Sequence, residues 1–423
     1  MVYHFSPPCN LTLSLLDTVF CRSYTSAHSR PEERIPMLKL SLVAFLIGAS
    51  ACVAVAGEDG KVRQPKVTPQ TSGTTQLLIS VSPVNENVVW AAGTGGTFVV
   101  TTNGGKTWKS GVVPGTTDDP NDELQFRDVQ GVSDKIAYLM SIGNNTTDFR
   151  IYKTVDGGEH WTIEFTNQTA NAFYDCFAFW TPDRGITHSD SVNGVFPDIR
   201  TFDGRTWHSI SAHMPPALSG EASFSASGTC IATEGQSNAW IVTGGGSIAR
   251  ILATRDGGNT WKAYDTPLLS SPSAGGVSVA FRDGFHGILG GGDLNSNTAA
   301  AAATSDDGGR TWNLTNKPPV QGAIFCLAYV RGMQPLGNGF GGGNEADHRG
   351  GDGGGFDHEF DRAVVITAET EPDFSSGPAA WTPDEGRTWF PIPGADGFWA
   401  VAFANPHAGW FVGNNGQILK ISF

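Results

Sequence analysis

The chain has 423 residues, a formal net charge of −14, 54 glycines and 12 tryptophans, and only 16% of its residues are charged. This composition is typical of a turn-rich, all-β globular protein and excludes a mainly helical or disordered one. The acidic balance disfavours nucleic acid as a partner, because a phosphate backbone is bound by a basic face.

The first predicted element is a targeting segment at residues 37–56. It begins at Met37 with a lysine two residues later, continues with the apolar run Leu42–Ile47, and ends in small residues at Ala49–Ala56. This order is that of a secretory signal peptide, and the apolar run is shorter than the roughly 20 residues that span a membrane. We therefore expect export to a periplasmic or extracellular location. Residues 1–36 are interpreted as a non-native or unstructured extension, with an organellar presequence as the alternative.

One short motif then occurs six times at intervals of about 50 residues, as in "ATRDGGNTW" and "TSDDGGRTW". Its Asp-Gly pair suits a tight turn, because glycine tolerates positive φ and the carboxylate can accept N–H bonds within the turn. The tryptophan opens the next strand and is expected to pack back over the turn. A structural role is therefore predicted for Asn103, Trp108, Asp156, Trp161, Asp203, Trp207, Asp256, Trp261, Asp307, Trp312, Asp384 and Trp389.

The motif resembles the Asp-box, or bacterial neuraminidase (BNR) repeat, and this resemblance implies a β-propeller of the sialidase superfamily. The last stretch of sequence has only three strands, and residues 66–72 ("KVTPQTS") are predicted to pair with it and close the ring. We therefore predict an all-β fold over residues 66–423, a single seven-bladed β-propeller of four-stranded blades. The predicted blades are 75–113, 122–165, 172–211, 220–265, 274–315, 322–392 and 396–423.

A glycine-rich segment, residues 337–362, interrupts the sixth predicted blade. It contains several Asp and His residues but lacks the fixed spacing of a calcium loop or a zinc motif. It is interpreted as a loop insertion. No metal site and no cofactor are predicted.

The candidate binding residues lie where the innermost strands are expected to begin, near "LQFRDV", "FYDCFAF" and "EASFSAS". These starts carry Arg127, Asp128, Asp175 and Glu221, and the mouth of a propeller channel is a concave default binding site. An arginine with two carboxylates could bind a polar ligand or a peptide, so we predict binding by Arg127, Asp175 and Glu221. The alternative is a solvated pore lining in which these charges pair with one another.

Three cysteines remain once the signal segment is removed: Cys176, Cys230 and Cys326. An odd number in an exported protein allows at most one bridge. The predicted bridge is Cys176–Cys230. The alternative is that all three are buried as small hydrophobic side chains.

The phrases "FRDV" and "GWFVGNNGQILK" resemble the photosystem II stability/assembly factor family, including a non-photosynthetic bacterial branch often labelled "oxidoreductase". This resemblance implies an exported, monomeric scaffold that presents its channel mouth to a protein partner. In a photosynthetic organism the location would be the thylakoid lumen. A glycan ligand and peripheral membrane association stay open.

The alternative function is glycoside hydrolysis, with Asp175 and Glu221 as acid and base. Two related enzyme families fit less well. Residues 75–113 contain no arginine to match the first arginine of sialidases, and the xyloglucan-type glucanases place their carboxylates between two propellers.

Overall fold

The computed structural model describes residues 64–118, 124–296, 300–330, 360–369 and 377–423. The predicted extension 1–36, the signal segment 37–56 and residues 337–359 of the glycine-rich insertion lie outside this part of the chain. The described residues are almost entirely β, with short 3-10 turns such as Thr146–Asp148 and Ser211–His213. Within them, no helix has the length and apolar character needed to cross a membrane.

The described strands form four-stranded antiparallel units in which each strand pairs with the next along the chain. Units 1 to 3 comprise β2 (Leu78–Pro83), β3 (Val89–Gly93), β4 (Thr97–Thr101) and β5 (Lys109–Val112); β6 (Gln125–Gly131), β7 (Ala137–Ile142), β8 (Arg150–Thr154) and β9 (Thr162–Thr166); and β10 (Tyr174–Thr181), β11 (Arg184–Ser189), β12 (Ile199–Thr201) and β13 (Trp207–Ser209).

The remaining units follow the same order, except that the fourth strand of unit 7 is β1, from the start of the described residues. Units 4 to 7 comprise β14 (Ile231–Glu234), β15 (Asn238–Val242), β16 (Arg250–Thr254) and β17 (Lys262–Asp265); β18 (Ala274–Phe281), β19 (Gly287–Asp293), β20 (Ala301–Ser305) and β21 (Asn313–Leu314); β22 (Ala323–Tyr329), β23 (Val364–Glu369), β24 (Pro378–Thr382) and β25 (Phe390–Asp396); and β26 (Phe398–Asn405), β27 (Ala408–Gly413), β28 (Gln417–Ser422) and β1 (Lys66–Thr71).

Unit 7 joins the two ends of the described chain. β1 pairs antiparallel with β28, in a register that runs from Lys66 opposite Ser422 to Thr71 opposite Gln417. The prediction that residues 66–72 supply the fourth strand of the C-terminal sheet is confirmed. Units 5 and 6 are also linked, because Gly292 pairs with Ala323 and merges them into one eight-stranded sheet.

The first strands of the units, which we call the inner strands, contact one another in chain order. β2 contacts β6, β6 contacts β10, and the series continues through β14, β18 and β22 to β26, which contacts β2 again. The hydrophobic core lies between neighbouring units. Trp90 and Phe98 of unit 1, for example, share a cluster with Phe126 and Leu139 of unit 2. Because both faces of a sheet are covered, second strands such as β3 and β7 are buried along their whole length.

Each of the six repeated motifs forms the turn between the third and fourth strands of its unit. In the turn of unit 5, the Ser305 hydroxyl donates to the Asp307 carboxylate at 2.9 Å and accepts from the Gly309 N–H at 2.8 Å, while Asp307 accepts from the Thr311 N–H at 2.9 Å. Equivalent bonds occur in the other five turns. The Ser or Thr two residues before the Asp is part of the turn, and the sequence analysis did not assign it a role.

The tryptophans of these turns pack in two ways. Trp312 packs over its own turn as predicted, donating its indole N–H to the Gly309 carbonyl at 3.0 Å. Trp161 instead packs against the preceding unit, with its ring 5.2 Å from Phe98 and 6.3 Å from Trp90. These side chains therefore fill space between sheets as well as clasping a turn.

The disulfide between Cys176 and Cys230 confirms the predicted bridge. It links β10 of unit 3 to the residue immediately before β14 of unit 4. Cys326 is a buried free thiol whose sulfur accepts a hydrogen bond from the Val401 N–H at 3.4 Å.

Candidate functional site

A β-bulge interrupts the inner strand of every unit except unit 4, near the strand's first residues. A bulge adds one unpaired residue and redirects its side chain. The strand starts lie at the end of the sheets opposite the six repeated turns. We call the extra residues the bulge residues; they are Ile79, Arg127, Asp175, Val277, Phe325 and Trp399.

Contacts among the bulge residues show that they converge from different units. The Arg127 guanidinium of unit 2 lies 5.8 Å from the Trp399 ring centroid of unit 7, although β2 of unit 1 lies between the inner strands of these two units and contacts both. Trp399 in turn meets Phe325 of unit 6 edge-on at 5.1 Å. Val277 of unit 5 packs in the same hydrophobic cluster. The bulge residues therefore surround a common centre.

The segment Ala222–Thr229, which we call the central segment, occupies this centre. The Ser225 carbonyl accepts a 3.3 Å hydrogen bond from Arg127 of unit 2, and the Ser227 hydroxyl donates at 2.7 Å to the Phe325 carbonyl of unit 6. Ala226 packs in the cluster that contains Val277. One short segment thus bridges units that are far apart in chain order.

The central segment corrects one prediction. "EASFSAS" was expected to be the innermost strand of the fourth blade, but the strand β14 begins only at Ile231. Among the preceding residues, Ala222 forms an isolated bridge with Gly244, whereas Ser225 and Ser227 bond across the centre. Gly228 is required there, because its φ is +76° and a Cβ would lie 2.4 Å from the Asp128 carboxyl carbon.

Arg127 is partly exposed and keeps its charge at neutral pH. Burial of its guanidinium lowers the pKa to about 10, and attraction to Asp175 opposes that shift. Its Nε atom has no hydrogen-bond partner. Arg127 therefore has donor capacity that its own chain does not use.

Asp175 is 1% exposed and lies close enough to Arg127 to interact with it electrostatically. Burial raises the pKa of Asp175 well above its usual range, and repulsion by the adjacent carboxyl of Asp190 raises it further. Burial also raises the pKa of Asp190, to about 6, against a hydrogen bond from the Ser223 N–H at 3.0 Å. The two carboxyl groups interact directly, and this proximity favours a proton on Asp175.

Glu221 is not brought to Arg127. It is 1% exposed and forms an ion pair with Arg250, to which its Oε1 is bonded at 2.8 Å from Nε and its Oε2 from Nη2. The Thr243 hydroxyl and the Leu218 N–H also donate to it, both at 2.7 Å. The predicted group of three is therefore divided into the Arg127–Asp175 pair and a separate buried ion pair.

Asp128 has an internal role between two inner strands. Its Oδ2 accepts from the Phe177 N–H of unit 3 at 2.9 Å, and burial raises its pKa well above the ordinary value. Ser278 accepts the equivalent bond from Leu327 at 3.0 Å. The residue after a bulge thus links its unit to the next one, a role that the sequence analysis missed.

A buried His–Asp pair in unit 3 was also missed. His188 and Asp198 are both 0% exposed, and Nδ1 of His188 lies 2.9 Å from Oδ2 of Asp198. Asp198 also accepts from the Ser189 N–H at 2.9 Å. In the described part of the chain, no group of three or more His, Cys, Asp and Glu residues could hold a metal ion.

No family model matches the sequence, and no curated protein matches it. Among solved structures, the chain is similar to YCF48 bound to D1 peptide, with 15% identity and a TM-score of 0.56 over 86% of this chain and 98% of that one. It is similar to YCF48 from Cyanidioschyzon merolae, with 14% identity and a TM-score of 0.55 over 84% of this chain and 98% of that one.

A GH74 xyloglucanase from Xanthomonas campestris is similar at 14% identity and a TM-score of 0.54, over 84% of this chain and 53% of the enzyme. These likenesses, together with the four-stranded antiparallel units, identify the fold as a β-propeller. The neighbours include an assembly factor and a glycoside hydrolase, so fold alone does not choose between a scaffold and an enzyme.

Proposed function

We propose that this protein is an exported, seven-bladed β-propeller of the photosystem II assembly factor-like group, and that it acts as a binding scaffold for a protein partner. Two features support a closed ring of seven blades. The inner strands contact one another in a cycle that returns from β26 to β2, and β1 completes the C-terminal sheet. The repeated turns, with their shared Ser/Thr–Asp bonds, support the Asp-box assignment.

The observation that carries the scaffold role is the internal pairing of the candidate catalytic carboxylates. A hydrolase needs two carboxyl groups about 5–9 Å apart with room for substrate or water between them. Here Glu221 is neutralised by Arg250, and Asp175 is hydrogen-bonded to Asp190. A structural neighbour, YCF48 bound to D1 peptide, adds support.

The proposed contact surface is the channel mouth at the bulge end, around Arg127. Its side chain is partly exposed beside the ring of Trp399, and an arginine next to an aromatic ring is a common anchor in protein interfaces. Asp175 contributes by holding the guanidinium electrostatically. Glu221 supports the mouth only indirectly, through the entry to the central segment.

The test is a crosslinked capture of partners from the exported fraction of the source organism. The bait is the full chain, wild type or Arg127→Glu, with Arg310→Glu as the matched control because Arg310 is an exposed arginine in a repeated turn at the opposite end. We expect one defined protein to be captured by wild type and control, and at least tenfold less of it by Arg127→Glu. Arg127→Lys, which keeps the charge, should retain most of the capture.

Two outcomes would contradict the scaffold role. One is capture that does not depend on Arg127. The other is release of reducing ends from a neutral polysaccharide by the wild type that is lost in Asp175→Asn, which would make the protein a hydrolase. Export is checked separately, by asking whether the mature chain in the exported fraction begins near residue 57.

A further inference from the structure

A surface cavity of about 460 Å³ lies between units 2 and 3, at the same end of the sheets as the bulge residues. Ligand pockets typically measure about 300–1,000 Å³. It lies beside the outer edge of unit 3, where β12 and β13 have three residues each.

Three aromatic side chains form the walls of this cavity: Phe165 at the end of β9, Tyr174 at the start of β10, and Trp207 in β13. The rings of Phe165 and Tyr174 meet edge-on at 5.7 Å. The Tyr174 hydroxyl is already used, because it donates to the Pro197 carbonyl at 2.9 Å. The Trp207 ring meets Phe179 edge-on at 6.0 Å, and its indole N–H is buried.

The rest of the lining is neutral and polar. No lining residue is charged, and hydroxyl or amide groups come from Thr166, Gln168, Thr169, Ser209 and Ser211. A charged ligand would lose hydration without meeting an opposite charge, and a purely apolar one would cover these groups without giving them partners. An occupant with apolar faces and a hydroxylated edge satisfies both requirements.

We propose that this cavity binds an uncharged sugar residue, with the aromatic walls against its C–H faces and the neutral polar groups of the lining at its hydroxyls. The sugar belongs to a ligand and not to the chain itself. Asn167-Gln168-Thr169 has the sequence of a glycosylation site, but Asn167 is 0% exposed. Its amide donates to the Thr169 carbonyl at 3.1 Å and accepts from the Thr169 N–H at 2.8 Å. This binding does not depend on Arg127 or on a protein partner.

The test uses saturation-transfer NMR and calorimetry on the full chain, with methyl glycosides of glucose, galactose, mannose and N-acetylglucosamine as probes. Val195→Arg places a charge at the cavity rim, where Val195 is 47% exposed and the fold should tolerate it. The matched control is Val112→Arg, because Val112 is 52% exposed and lines a different cavity. We expect at least one probe to bind, with binding at least tenfold weaker in Val195→Arg and unchanged in Val112→Arg.

Trp207→Ala removes one aromatic wall, so it should weaken binding of the same probe roughly 2- to 10-fold, the value of one aromatic contact. The proposal is overturned if no probe binds or if Val195→Arg leaves binding unchanged. It is also overturned if glucuronic acid or glucosamine binds as well as the neutral sugars. Binding of N-acetyl-phenylalaninamide in place of any sugar would make the cavity a peptide side-chain pocket instead.

Discussion

Six turns lie at the end of the sheets opposite the bulge residues, and we call this end the rim. They repeat the same hydrogen bonds between a Ser or Thr hydroxyl, an Asp or Asn side chain and backbone N–H groups. At the centre, six bulges occupy equivalent places but carry different side chains. Arg127 and Asp175 carry ionisable groups, whereas Val277, Phe325 and Trp399 belong to an apolar cluster. Repetition at the rim preserves a local structure that each unit needs. Variation at the centre differentiates the units and creates one charged side and one apolar side.

The pKa values of acidic side chains are also shifted in opposite directions in the two regions. The rim carboxylates accept several N–H and O–H bonds, and these bonds lower the pKa of residues such as Asp203 and Asp307. The central carboxyls of Asp128 and Asp175 are buried, and burial raises their pKa. The rim therefore favours charged acids, and the centre favours protonated ones. The following predictions are ways to break or sharpen this contrast.

The largest expected effect is on the buried ion pair beside the centre. Glu221→Ala leaves the guanidinium of Arg250, which is 8% exposed, without its counter-charge. Removing one partner of a buried pair typically costs about 3–5 kcal/mol in the free energy of unfolding. Urea-induced unfolding followed by tryptophan fluorescence measures this loss.

The matched control is the exposed pair between Lys109 and Glu159, whose side chains are 48% and 66% exposed. Glu159→Ala should leave the unfolding midpoint nearly unchanged, because water screens the pair. Equal losses in the two variants would contradict the distinction between the buried pair and the exposed one.

The second effect concerns the disulfide that anchors the end of the central segment. Cys176 and Cys230 are separated by 54 residues, and closing a loop of that size stabilises the native state by about 2–4 kcal/mol. The Cys176→Ala, Cys230→Ala variant should lose that amount in denaturant unfolding. The free energy of unfolding of this double variant should also no longer depend on dithiothreitol, whereas that of Cys326→Ala should remain as sensitive to it as the wild type. Sensitivity in the double variant would show that another bond carries the effect.

The third prediction concerns the acids at the centre. An unfolded Asp has a pKa of about 3.9, whereas that of Asp190 is about 6 and that of Asp175 is also raised. The native state therefore holds extra protons above pH 4, and each lowers the free energy of unfolding by up to about 1.4 kcal/mol for every unit of pH increase in this window. The asparagine in Asp175→Asn has no proton to release. The free energy of unfolding of this variant should therefore fall less than that of the wild type between pH 4 and 7.

The rim supplies the control with the opposite sign. Asp307 has a lowered pKa in the native state, so its contribution is present above pH 4 and is lost as the pH falls through its native value. Asp307→Asn should therefore lose more stability at pH 7 than at pH 3, as measured by urea unfolding at each pH. A flatter wild-type profile than that of Asp175→Asn would contradict the assignment of protonated acids to the centre.

What could be predicted from the sequence is what local chemistry determines. An Asp-Gly turn before a Thr-Trp pair forms its bonds within about eight residues. Its strand–turn–strand structure can therefore be predicted from each copy of the motif. The pairing of residues 66–72 with the C-terminal sheet was also predictable, because three strands at one end left a place for a fourth. The disulfide prediction succeeded because only three cysteines were available.

The centre was harder to predict because its partners are distant in sequence. The alternation of Phe224 and Ala226 with serines looks like a strand, but these side chains pack against other units across the centre. Nothing local to Glu221 shows that Arg250, 29 residues later, would take its carboxylate. The positions of the bulges could not be predicted for a similar reason. An extra residue is defined by the register with the opposite strand and not by its neighbours in sequence.

The smallest predicted effect tests whether the rim is truly repeated. Ser305 stands where the other five turns have threonine, and its hydroxyl makes the same bonds to Asp307 and Gly309. Ser305→Thr should therefore leave the unfolding midpoint unchanged, while Ser305→Ala should cost about 1 kcal/mol because the Gly309 N–H loses its acceptor.

At the centre the equivalent exchange, Arg127→Val, copies the bulge residue of unit 5 and should abolish partner capture without loss of the fold. If the rim exchange is costly, or the central exchange leaves capture intact, the division between a repeated rim and a specific centre is wrong.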